Sequence, residues 1–318
     1  MRILITGGTG FVGTHLIRLL QSQNSQISVL SSDRRSTRQL QVQYYEVDIR
    51  DEEAVRSVLR DVSPDQIYHL AGITAVDVSW THPRMTYEVN VLGAHNLFAA
   101  AMDLPAAPRI LNVSTSQVYA PASGRLTENS PIGPDNPYAA SKAMAELLVP
   151  QYRNRATGGI ITARPFNHTG SAQLPNFVLP SIAKQFAEIE LGLRSPRLNL
   201  GNVNVKRDFL DVRDVVVAYS KLLSNGKPSE VYNVCSGEGV LLSDIVEMFR
   251  STSGIDVTVE IDPEKVRPKE AAEICGDPRK LETETGWRRE IPLQKTVEDI
   301  LNYWRSQCRS RGAIATSG

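Results

Sequence analysis

The chain has 318 residues, 41% hydrophobic and 22% charged, which is enough to bury a full core and suits one α/β domain with a smaller appended lobe. Its 35 Lys and Arg balance 35 Asp and Glu, so nothing points to a polyanionic partner such as nucleic acid, and any anion site must be local. Cys235, Cys275 and Cys308 are odd in number and widely spaced, fitting neither a disulfide framework nor a metal site, and no apolar run reaches about 18 residues; a cytoplasmic protein with no membrane span is expected.

Short apolar runs alternate with helical patterns through the first half, the signature of a parallel sheet wrapped by helices. The first strand, 3–6, follows Met1 with no room for a signal peptide. It runs into Gly7, Gly10 and Gly13, with Phe11 and Val12 between the last two and a helix over 12–23. Glycines here permit a tight turn and let the backbone approach a pyrophosphate, whose charge meets the helix N-terminus. A strand-to-helix turn without a ligand is the plain alternative. Strand 27–30 ends at Ser31, Ser32, Asp33, Arg34 and Arg35. An NAD site usually places an acid there for the adenosine ribose. Serine carries no charge to repel a 2′-phosphate, and Arg34 and Arg35 could clamp one, which favours NADP. In the competing reading Asp33 bonds the ribose of NAD and the arginines are solvated.

Strand 43–47 precedes Asp48 and Ile49, where Asp48 could accept from an adenine amine or be a solvated turn residue. Helix 52–59, strand 66–70, a long helix over 83–102 and strand 110–114 follow. A helix over 138–157 and a strand over 160–164 complete this part. Past Pro165 the prolines at 175, 180 and 196 and several glycines break the pattern, and alternation returns only at 231–234. This reads as a second lobe, with later helices at 241–252, 278–285 and 293–306. The expected division is a nucleotide-binding domain over 1–165, to which 210–235 returns, and a lobe of 166–209 and 236–309. The small, polar residues 310–318 are expected to fray.

Tyr138 and Lys142 stand four apart on the predicted helix and so share a face. A lysine ammonium beside a phenol favours its ionised form, and a phenol tuned downward from about 10 can exchange a proton with an alcohol or carbonyl oxygen. Taken alone, the pair is equally an amphipathic helix with a solvated lysine.

The glycine loop, Asp48 with Ile49, His69-Leu70-Ala71-Gly72, Asn90, the segment 114–119, Tyr138 with Lys142, Arg164-Pro165-Phe166-Asn167 and Arg207-Asp208-Phe209 together resemble the extended short-chain dehydrogenase/reductase family, in its branch acting on nucleotide sugars. The similarity runs to about Cys308. It implies a Rossmann-like doubly wound parallel sheet with a smaller mixed α/β substrate lobe. It also implies that Thr115 partners Tyr138 at the substrate oxygen and that Lys142 bonds the nicotinamide ribose while tuning Tyr138. Leu70, Ala71 and Gly72 would run under the cofactor, with Asn90 nearby; Ser32 and Arg164 are expected at the cofactor as well. Beyond Arg164 a nucleotide diphosphate would bind, with Asn167 donating to the pyrophosphate and Arg207 and Arg267 supplying charge. Ser116, Gln117 and Lys184 complete the expected substrate contacts.

The 4,6-dehydratases of this branch carry a glutamate where Gln117 stands, the base that removes the C5 proton, and a neutral amide cannot replace it. Within this branch the chain resembles reductases of GDP-4-keto-6-deoxy-D-mannose, which form GDP-D-rhamnose, although their Gly-Pro-Gly-Gln appears here as Gly170-Ser171-Ala172-Gln173. The resemblance thus implies NADPH-dependent reduction of a GDP-sugar ketone. A 4-epimerase and a non-catalytic NADP-sensing regulator are the alternatives, and a homodimer through helices 83–102 and 138–157 is expected.

Overall fold

The computed structural model describes residues 1–23, 25–33, 40–120, 124–152, 158–266 and 271–315, with side chains to Ser310; Arg34, Arg35 and Arg267 lie outside these residues. In chain order the first part contains β1 (Arg2–Thr6), α1 (Phe11–Gln21), β2 (Gln26–Ser31), β3 (Gln43–Glu46), α2 (Glu52–Val62), β4 (Gln66–His69), α3 (Val76–Thr81), α4 (Pro83–Tyr87), α5 (Gly93–Met102), β5 (Arg109–Val113), β6 (Arg125–Leu126), α6 (Pro137–Leu148), β7 (Ile160–Pro165) and β8 (Asn167–Thr169). The second contains α7 (Val178–Glu190), β9 (Arg197–Leu200), β10 (Lys206–Asp211), α8 (Val212–Asn225), β11 (Val231–Val234), β12 (Gly239–Leu241), α9 (Leu242–Ser253), β13 (Thr258–Ile261), β14 (Glu273–Gly276), α10 (Arg279–Thr285) and α11 (Leu293–Ala315).

Seven strands form one parallel sheet in the order β11-β7-β5-β4-β1-β2-β3. Apolar runs such as Ile3-Leu4-Ile5 are buried on both faces, as a sheet covered by helices on both sides requires. Leu16, Ile17 and Leu20 of α1 and Val215, Ala218 and Leu222 of α8 cover one face. Val55 and Leu59 of α2, Leu97 and Phe98 of α5 and Ala145 of α6 cover the other. The strand order reverses at β1, which has β2 on one side and β4 on the other. This opens a crevice outside their carboxyl ends, where ligands of such sheets bind. The Rossmann-like expectation holds.

A second core joins α7, α9 and α11 through Phe186, Phe249, Ile300 and Trp304, with Phe186 and Phe249 stacked at 5.7 Å. A smaller sheet, β12-β10-β14-β6 with β8 on β10, and the pair β13-β9 complete this part. Its strands are two to six residues long, too short in most cases to show the alternation by which the strands of the large sheet are recognised.

The helix expected over 83–102 is continuous but contains a π-helical turn at Glu88–Leu92 between α4 and α5. The helix expected over 138–157 is α6 and a 3₁₀ turn, Val149–Tyr152, that begins where Pro150 removes a backbone donor; residues 153–157 lie outside the described residues. Fraying was expected from Ser310; α11 runs to Ala315, and residues 316–318 lie outside the described residues. Among the described residues no helix is long and apolar enough to cross a membrane.

Candidate active site

β1 ends at Thr6, and the chain reverses at Gly7, whose φ of 67° is left-handed. A Cβ at Gly7 would lie 2.7 Å from the Ala71 nitrogen, so the turn and the loop after β4 touch backbone to backbone. Thr6 Oγ1 accepts from Ala71 N at 3.2 Å and sits 2.8 Å from Nδ1 of buried His69, joining the two strand ends. Burial drives the His69 imidazole down to about 3, with the Lys142 charge adding to it, so His69 is neutral. Gly10 starts α1 with no side-chain cap, and α1 has no acid in its first turn. Apart from the Gly7 carbonyl at 3.3 Å, the space over Gly10 is open. An uncapped helix N-terminus beside an open glycine fits the pyrophosphate of a dinucleotide.

At the end of β2, Ser31 shares a hydrogen bond with Thr9 at 2.8 Å, and its carbonyl accepts from the Tyr44 hydroxyl at 2.9 Å. Ser32 is exposed beside it. Asp48 is already bound: Arg50 grips both carboxylate oxygens, at 2.6 Å from Oδ2, and holds the acid below its usual range. The Ile49 side chain is buried in the core against Gly93.

Thr115 follows β5 and caps the turn Ser116–Val118, accepting from Gln117 N at 3.2 Å. Asn136 caps α6, its side chain accepting from Ala139 N at 2.9 Å, and Pro137 supplies the first helical residue. This cap sets the helix phase that buries Tyr138 and Lys142 together. Lys142 Nζ donates to the Val113 carbonyl at 2.8 Å and lies close to Gly72, where an added Cβ would sit 3.4 Å from it. Burial lowers the ammonium to about 8, with Glu146 opposing. The expected downward tuning of Tyr138 is overturned. Burial raises the phenol, and its Thr115 hydrogen bond only partly opposes this.

Asn90, in the π-helical turn, donates to the Ile73 carbonyl at 3.0 Å and to Ser141 Oγ at 2.9 Å, and accepts from Ile73 N at 2.8 Å. It therefore ties the loop after Gly72 to α6. Ser114 Oγ and Asn112 Nδ2 are buried at the end of β5 with no partner. Such polar capacity is rare in an interior and marks a place for a ligand or water.

The remaining expected residues are spread more widely. Arg164 is 5% exposed and forms a bidentate pair with Glu146 at 2.5 Å, which corrects its expected place at the cofactor. Asn167 Nδ2 donates to the Asp208 carbonyl at 3.3 Å, and Arg207 donates to the Ala271 carbonyl at 2.9 Å. Lys184 is ion-paired with Glu188 on its own helix. Ser116 is half-buried, while Gln117 is exposed and accepts from Asn136 at 3.3 Å. Glu146 escaped the sequence reading, although it continues the four-residue spacing of Tyr138 and Lys142. Among the described residues no His, Cys, Asp and Glu group is arranged to hold a metal.

A glycine turn at the switch point of a parallel sheet, with a buried tyrosine and lysine beside it, defines a Rossmann-type nucleotide-dependent enzyme. The chain belongs to the GDP-mannose 4,6-dehydratase family, whose model matches residues 4–300, and with it to the extended short-chain dehydrogenase/reductases. It is 34% identical to GDP-6-deoxy-D-mannose reductase of Pseudomonas aeruginosa over 97% of this chain and 98% of that protein. It is 31% identical to GDP-6-deoxy-D-talose 4-dehydrogenase of Aggregatibacter actinomycetemcomitans, over 88% of this chain and 90% of that one. The solved structure of RMD from Pseudomonas aeruginosa complexed with NADPH matches 96% of this chain and 100% of its own, with a TM-score of 0.85 and 33% identity.

Proposed function

We propose that this chain, an NAD(P)-dependent oxidoreductase, reduces the C4 ketone of GDP-4-keto-6-deoxy-D-mannose to GDP-D-rhamnose with NADPH. The carrying observation is that Thr115, Tyr138 and Lys142 are buried together at the crevice, with Lys142 beside Gly72, while position 117 holds an amide instead of a carboxylate. The 34% identical reductase, acting on the same class of GDP-sugar by its name, supports the reading.

Bound NADPH would supply the hydride, held by the Gly7–Gly10 turn and the α1 N-terminus at its pyrophosphate and by Lys142 at its nicotinamide ribose. Tyr138 donates its phenolic proton to the oxygen that becomes an alkoxide at C4. A phenol holds that proton at neutral pH until the alkoxide develops, as the proton donor in a reduction must. Thr115 orients the same oxygen, and a donor preset for charge that appears only in the transition state accelerates the step. Lys142, a cation for most of its population below about 8, stabilises the phenolate left behind. Asn167 and Arg207 border the region assigned to the diphosphate, whose binding positions the sugar.

The test is incubation with NADPH and GDP-4-keto-6-deoxy-D-mannose, following NADPH loss and identifying the sugar by NMR. GDP-D-rhamnose with stoichiometric NADPH consumption is expected. The likeness to a GDP-6-deoxy-D-talose 4-dehydrogenase favours one second reading, the C4 epimer as product. Interconversion of sugars without NADPH loss would establish an epimerase, and NADPH binding without turnover a regulator. The proposed homodimer pairs α4, α5 and α6 with their copies. Met85, Met144 and Leu147 on these helices, and Leu92 in the turn between α4 and α5, are exposed, Leu147 at 71%, and light scattering near 35 kDa would refute it.

A further inference from the structure

Tyr138, Lys142 and Glu146 repeat every four residues along α6 and so share one face. Glu146 reaches Arg164 on β7: Nε donates to Oε1 at 3.0 Å and to Oε2 at 3.2 Å, and Nη2 donates to Oε2 at 2.5 Å. The two side chains are 11% and 7% exposed. The same guanidinium donates to the Glu128 carbonyl at 3.2 Å and lies 4.8 Å above the Tyr119 ring. Tyr119 ends the turn that Thr115 caps, and its hydroxyl is fixed by Asn233 Oδ1 at 2.6 Å.

We propose that Glu146 and Arg164 are positioning residues for the reduction: their buried pair locks the helix bearing Tyr138 and Lys142 to β7 and, through Tyr119, to the turn bearing Thr115. This rests on the catalytic reading of those three residues given above. Thr115 and Tyr138 come from different elements, and their shared oxygen site exists only while α6 and the 115–119 turn keep their separation. A planar fork that binds a carboxylate at one edge and an aromatic face at the other fixes that separation in two directions. Apolar side chains of similar size would stabilise the fold as well, so packing alone does not call for a buried pair here.

The pair also acts on charge. The titratable groups facing Lys142 are Tyr138 and Glu146 on its own helix and His69 on β4, which burial keeps neutral. Glu146 is the charge that opposes the loss of the Lys142 proton. Removing that negative charge therefore lowers the pKa of Lys142.

Three variants test the proposal by the pH profile of kcat and by hydrogen exchange across α6. Glu146→Gln keeps the shape, and the high-pH limb of kcat should move down by roughly one unit. Glu146→Asp keeps the charge on a shorter arm; its limb should stay while kcat falls about tenfold. Arg164→Lys keeps the charge but loses fork and stack; kcat should fall about tenfold, NADPH affinity should hold, and exchange in α6 should rise. An unmoved limb in E146Q, or wild-type kcat and exchange in R164K, overturns the proposal. Should E146Q not fold, E146D and R164K carry the test. If the wild-type protein reduces no keto sugar, the reduction reading fails by itself. Faster α6 exchange in R164K then still supports the brace, and unchanged exchange overturns it.

Discussion

Replacing Gly7 by alanine separates two costs that the turn imposes. Gly7 has a φ of 67°, and an alanine there pays the left-handed penalty of about 1 kcal/mol. Its Cβ would also lie 2.7 Å from the Ala71 nitrogen, 2.8 Å from the Ala71 Cα and 2.9 Å from the Leu70 carbonyl carbon. All three are backbone atoms at the end of β4 and cannot swing aside, so overpacking adds about 1–3 kcal/mol. Gly254, the C-cap of α9, is the control: its φ is 72°, and nothing lies within 4 Å of its Cβ position. G254A should therefore lose about 1 kcal/mol, and G7A about 2–4 kcal/mol, in urea unfolding. Because the loop 70–72 must retreat, G7A should also bind NADPH about tenfold or more weakly by fluorescence titration, whereas G254A should bind it normally. If the two variants match in both stability and affinity, the close approach of turn and loop is not what the structure indicates.

Tyr138→Phe should lower kcat by about 10²–10⁴-fold while leaving NADPH affinity unchanged, because it removes the proton donor without touching the glycine turn; normal turnover would remove Tyr138 from the chemistry. Asn90→Ala strips partners from the Ile73 N–H and carbonyl and from Ser141, so calorimetry and urea unfolding should show a loss of about 2–4 kcal/mol. His69 is held neutral, its pKa lowered from about 6.5 to about 3, so the unfolded chain binds the extra proton between those values. Stability from this group is present above pH 6.5 and is lost as pH falls toward 3, by at most about 1.4 kcal/mol per unit. His69→Asn should flatten the urea midpoint against pH below 6.5; an unchanged slope would show that His69 titrates normally.

What could be read from residues alone was local. The glycine spacing at 7, 10 and 13 follows the short apolar strand expected over 3–6 and precedes a helix, and the turn's ligand chemistry can be read from neighbours in the chain. The four-residue step from Tyr138 to Lys142 is likewise a property of one helix, and the amide at Gln117 excludes a base whatever surrounds it. The lobe strands escaped because β6, β8 and β12 are too short to show a period and are held by partners distant in sequence. Burial and partner choice were decided by the tertiary structure. Lys142 turns to the Val113 carbonyl, and burial sends the phenol up rather than down. Arg164, expected at the cofactor, is claimed by Glu146. A side chain's sequence position states what it can bind, but desolvation and competition among neighbours decide what it does bind, and both require the folded chain.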